Sequence, residues 1–146
     1  METKTMTDTW QFWALLAAMF AALTAILAKV GVADINSNYA TFLRTIVVVA
    51  ALGLLVFSTA QTQSLATIST KTLVFLGLSG LATGASWLCY FRALQLGQAS
   101  QVAPVDKLSV VLVAVIGAVF LGEQLGAGGW AGVALIATGS ILVAMG

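Results

Sequence analysis

From Trp10 to Lys29 the chain reads WQFWALLAAMFAALTAILAK, an apolar run with no charge before its last residue. A run of this kind matches the thickness of a lipid bilayer, which takes about 20 apolar residues as one helix. It is not alone. Similar runs cover about residues 39–57, 73–91, 104–122 and 130–145. The connectors VADINSN, STAQTQSLATISTK, QLGQAS and EQLGAGG carry turn and polar residues. The spacing predicts an all-α integral membrane protein, a bundle of five transmembrane helices, with residues 1–146 as one membrane domain.

Composition supports lipid as the solvent. The chain is 60% hydrophobic and 8% charged, against about 25% charged in soluble domains. A fold of this size cannot hide so much apolar surface from water. Net charge is +1, which argues against nucleic acid as a partner. There is no histidine and one cysteine, Cys89. That pattern provides no disulfide framework, no Cys/His metal site, and no sign of a resident cofactor. So few ionisable groups also point away from an enzyme. The first run is longer than the apolar region of a signal peptide and lacks an A-x-A site, so it reads as a span.

Five spans place the termini on opposite sides. One side carries Lys4 and Lys71, the other Lys29, Arg44, Arg92 and Lys107. The positive-inside rule puts the second side, with the C-terminus, in the cytoplasm and the N-terminus outside. The bias is small enough that dual topology fits it as well.

Small residues mark helix faces. Alanines at 14, 18, 21, 25 and 28 draw a stripe down span one. Gly77, Gly80 and Gly84 do so on span three, and Gly128 and Gly132 open span five. In lipid such residues let backbones approach closely. They serve either packing within one chain or a dimer seam. Ser79, Thr83, Ser86 and Tyr90 stack hydroxyls on one face of span three. They form either interhelical hydrogen bonds or one wall of a polar cavity. Trp87 and Tyr90 either anchor the helix at the interface or stack on a ligand.

Charges sit at span ends. Pro104 leads span four, where its missing N–H has no partner to lose. Asp106 then falls in the first turn and suits the helix dipole, while Lys107 snorkels to the headgroups. Ser109 follows on the same segment. A functional reading stands beside this structural one. Lys29, Arg44, Arg92 and Lys107 lie at one membrane level, and Arg44 sits deeper than a loop charge should. With Asp106 they are candidates to line a vestibule, since charges in membranes often mark pathways. A basic vestibule favours a small anionic or zwitterionic solute. No acidic residue lies in the middle of a span, so a proton or cation relay finds no support there.

The stretch SGLATGASWLCYFRALQLGQASQVAPVDKLSVVLVAVIGAVFLGEQL, followed by GWAGVALIATGSILVAMG, resembles an EamA domain of the drug/metabolite transporter superfamily. The marks are an aromatic-rich helix end running into RALQLG, a proline-led next helix, LGE after it, and a glycine-spaced last helix. FWALLAAMFAALTAILAKVG and LRTIVVVAALG fit the same domain, which spans about Gln11 to Met145. The resemblance implies a secondary transporter, an exporter or exchanger of a small metabolite, in the bacterial inner membrane. Glu123 resembles the family's glutamate in LGE, either pinning the turn before span five or touching substrate. Typical members carry two five-span repeats of opposite orientation, whereas this sequence matches one. The resemblance therefore implies an antiparallel homodimer or a second half-size repeat, with alternating access between the halves. A non-transporting subunit, whose helix faces serve assembly only, is the rival. A channel is weaker, since no charged ring or selectivity loop is present.

Overall fold

The computed structural model describes residues 9–146, so Lys4, counted above for orientation, lies outside the described residues. The described chain is helical, with α1 at Trp10–Gly31, α2 at Ser37–Ser58, α3 at Thr70–Leu96, α4 at Ala99–Asp106, α5 at Ser109–Ile116 and α6 at Ala127–Met145. A 3-10 turn, Leu65–Thr67, precedes α3, and a π-helical turn, Gly117–Leu121, follows α5. Five segments are long and apolar enough to cross a membrane: α1, α2, α3, Ala99–Leu121 taken together, and α6.

Two span ends differ from the sequence expectation. The third helix does not stop near Phe91 but runs to Leu96. Arg, Ala, Leu and Gln are good helix formers, so RALQL continues the helix past the apolar run until Gly97. The fourth span begins at Ala99, not near Pro104. Pro104 is therefore interior to α4, and without an N–H it leaves the Ser100 carbonyl short of its usual donor.

Residues 31–96 form one compact unit, and the chain before and after them forms the other. In the first, Gly31 ends α1 and Asn36 restarts the chain as a cap. Its side-chain oxygen accepts from the N–H groups of Asn38 (2.9 Å) and Tyr39 (3.3 Å), meeting two donors a helix start leaves unpaired. Helices α2 and α3 pack together. The buried residues of this unit are Val32, Ser37, Ala40, Thr41, Phe91 and Leu94. They gather at one end of the helix pair, where α2 is small and α3 is large. Thr41 and Thr45 turn their hydroxyls onto the carbonyls of Ser37 (2.9 Å) and Thr41 (2.8 Å). That leaves their methyl sides to pack.

In the other unit α6 packs on α4 and α5. Ser140 of α6 is buried. The span from Ala99 to Leu121 changes winding along its length. Around Lys107 it tightens, with i to i−3 bonds from Lys107 to Pro104 (3.1 Å), Leu108 to Val105 (3.0 Å) and Val110 to Lys107 (3.0 Å). At Gly117–Leu121 it widens to a π turn. Gly122 then ends it in the left-handed region, φ +68°, where only glycine sits without strain.

Candidate functional site

Arg44 lies two turns inside α2, roughly 10 Å along the axis from Ser37 at about 1.5 Å per residue. A guanidinium at that depth is costly unless something offsets its charge. The offset comes from α3. The guanidinium carbon stands 4.1 Å from the ring centre of Trp87 and 5.5 Å from that of Phe91, both inside the range of cation–π attraction. Ala40 and Thr41, small and buried, let α3 come close enough on this side of α2. Trp87 thus lies within α3, which runs on to Leu96, and carries Arg44 over its ring.

Arg92 is held differently. One of its terminal nitrogens donates to the side-chain oxygen of Gln95 at 2.8 Å. Gln95 in turn donates to the carbonyl of Ile35 at 2.9 Å and more weakly to that of Val32 at 3.4 Å. The chain Arg92–Gln95–backbone ties the turn before α2 to the end of α3. Gln95 was not among the residues singled out above. A polar residue in RALQLG reads as surface, and only the fold shows which carbonyls it meets.

In the other unit Lys29 donates to the Gly97 carbonyl at 2.7 Å. Asp106 and Lys107 pair at 3.3 Å and remain well exposed. They do not open a helix, as the proline had implied. They stand where α4 ends and α5 is about to begin, Lys107 by the C-terminus of α4 and Asp106 just ahead of α5, where each sign suits the nearer dipole. Ser109 is the exposed first residue of α5.

The hydroxyl face of α3 splits. Thr83 bonds back to the Ser79 carbonyl at 2.9 Å. Ser79, Thr83 and Ser86 are all exposed, and Tyr90 is half-buried. The glycines of the same helix meet nothing either: a methyl on Gly77, Gly80 or Gly84 finds no described atom within 4 Å, and the same holds for Gly128 and Gly132. Close approach occurs instead at Gly117, where an added Cβ would lie 2.7 Å from Oε2 of Glu123. Glu123 also donates its N–H to the Gly117 carbonyl at 3.1 Å. Its side chain folds back over the end of the span, in keeping with a pin for the turn. Among the described residues no His/Cys/Asp/Glu group is placed to hold a metal.

The model of the EamA-like transporter family matches residues 8–145. The chain belongs to the EamA-like transporter family. With its five apolar helices this makes it an integral membrane protein of a transporter family, which points away from an enzyme. A protein of Sinorhizobium sp, described as an "Uncharacterized transporter in cobO 3'region", is 58% identical over 140 residues, covering 96% of this chain and 99% of its own length. No solved structure matches.

Proposed function

We propose that this EamA chain is half of a secondary transporter, an exporter or exchanger of a small anionic or zwitterionic metabolite in the bacterial inner membrane. Two copies in antiparallel orientation, or one copy with another half-size repeat, complete the five-plus-five arrangement and move solute by alternating access. The observation that carries this is the outer face of α3. None of the apolar window of that helix is buried by its own chain. Yet one face bears Ser79, Thr83 and Ser86, all exposed, and a neighbouring face, in line with Trp87 and Phe91, bears three glycines with open space over them. Hydrocarbon is a poor neighbour for hydroxyls, and glycines in lipid favour a close helix partner. A second repeat, with a polar path along the seam, meets both needs.

The first test is topology in cells, with a reporter fused separately to each terminus. Each terminus found on both sides in comparable amounts supports the antiparallel homodimer. A C-terminus found only in the cytoplasm excludes self-pairing in that sense and calls for another protein as the second half. Transport is tested on proteoliposomes by solid-supported electrophysiology across amino acids and organic acids. Ser79→Leu with Ser86→Leu is expected to abolish flux while the protein stays folded and assembled. Unchanged flux removes Ser79 and Ser86 from the polar path, whereas no flux from the unsubstituted protein favours a subunit that only assembles.

A further inference from the structure

We infer that Arg44, set against Trp87, binds the carboxylate of a solute. The inference rests on the transporter reading for its biological sense, but the binding site stands or falls by itself. Of the four basic side chains Lys29, Arg44, Arg92 and Lys107, three have an oxygen acceptor within the chain: a carbonyl, an amide and a carboxylate. Arg44 has no such hydrogen-bonded acceptor among the described residues: it lies over the rings of Trp87 and Phe91, with Tyr90 near enough to act on its charge. A guanidinium carries five N–H donors and no acceptor. A ring face offsets part of the charge but accepts few of those donors. No buried side-chain nitrogen among the described residues lacks a partner, so the N–H groups of Arg44 open outward from the α2–α3 pair.

The result is a half-buried cation with one side held by an aromatic ring and its donors unspent. Stacking pre-organises the planar fork, so less side-chain freedom is lost when an anion docks. A carboxylate matches two parallel N–H donors, and charge-assisted pairs of this kind are about twice as strong as neutral hydrogen bonds. Trp87 and Phe91 flank the site with apolar surface, which suits a carboxylate carried on an apolar body. Trp87 is here a positioning residue, acting through Arg44. A lipid phosphate offers the same oxyanion chemistry, so the source has to be separated by experiment.

The chain has two arginines, Arg44 and Arg92, which makes arginine-selective labelling clean. The full-length protein is treated with phenylglyoxal, and adducts at each arginine are quantified by mass spectrometry. One arm uses dodecyl maltoside micelles free of phospholipid, the other phosphatidylcholine nanodiscs. Benzoate is the probe and benzamide, its neutral isostere, the control. The expected result in micelles is that saturating benzoate slows labelling of Arg44 at least fivefold and leaves Arg92 unchanged, with no effect of benzamide. Trp87→Leu is expected to raise the benzoate concentration for half-protection about tenfold, in line with a desolvated cation–π contact. Equal protection by benzamide overturns the inference, as does labelling that ignores benzoate. Arg44 that stays unlabelled without any ligand while Arg92 reacts overturns it too. Protection that appears only in nanodiscs, with benzoate adding nothing, assigns the site to lipid phosphate and also overturns it. None of these readouts needs flux, so an inactive transporter and a missing anion site give different results.

Discussion

At the scale of single residues, the LGE turn shows how one contact sets another's identity. Glu123 lays Oε2 where a Cβ on Gly117 would fall, 2.7 Å away, and both Gly122 and Glu123 donate N–H groups to the Gly117 carbonyl. The clash is with the far end of a flexible side chain, so Gly117→Ala moves the carboxylate instead of breaking the backbone. Alanine is favoured over glycine in a helix by about 1 kcal/mol, which works in the opposite direction. The two effects separate in a double-mutant cycle with Glu123→Ala. Thermal unfolding in detergent is expected to show Gly117→Ala stabilising in the Glu123→Ala background and neutral or destabilising with Glu123 present, a coupling of about 0.5 kcal/mol or more. Additive effects would mean that Glu123 does not hold the turn. Gln95 makes a second residue-level case. Gln95→Ala removes the bonds to Ile35 and Val32 and frees Arg92, for a loss of about 1–2 kcal/mol. Amide exchange over residues 32–38 is expected to rise with it, since that turn loses its tie to α3. Arg44 was visible in the sequence as a charge too deep for a loop, because depth follows from counting. Its partner was not, because Trp87 lies on another helix and no local pattern links the two.

Helices were legible where bilayer thickness rules and less so where it does not. Apolar runs located all five spans, since about 30 Å of hydrocarbon sets their length. Hydropathy says little about the wetter ends. There, propensity carried α3 on to Leu96, and Gly97 with Gln98 decided where α4 begins. Pro104 misled for a physical reason: proline suits a first turn, yet an interior proline is tolerated where the next turn is already tightened. That tightening makes a prediction at the scale of the element. Pro104→Ala restores a donor for the Ser100 carbonyl and frees the backbone of Ala103 to be fully helical. Residues 105–111 are then expected to exchange amide hydrogens more slowly, by tenfold or more, as α4 and α5 join into one regular helix. Unchanged exchange would place the origin of the break in Asp106, Lys107 and Leu108 instead.

For the whole molecule, the proposal of a second repeat against the open face of α3 can be tested, and the helix carries its own ruler. Thr83 is the middle residue of Thr70–Leu96, and Leu76 and Tyr90 lie two turns to either side of it on about the same face. An antiparallel pair crossing at the centre of α3 brings Thr83 against its own copy. It also sends Leu76 of one chain towards the Tyr90 end of the other, so neither of those meets itself. A parallel pair in register brings all three positions against themselves. Single cysteines at 76, 83 and 90, built after Cys89→Ser removes the exposed native thiol, separate these cases in intact membranes. Under oxidation, strong disulfide dimers at position 83 with little at 76 and 90 are the expected result. Mixing the 76 and 90 variants is then expected to yield the heterologous crosslink. Equal yields at all three positions would mean a parallel dimer, which cannot rebuild an inverted repeat. No crosslink at any of them would show that α3 meets a different protein or another face, and the seam proposed for the solute would have to move with it.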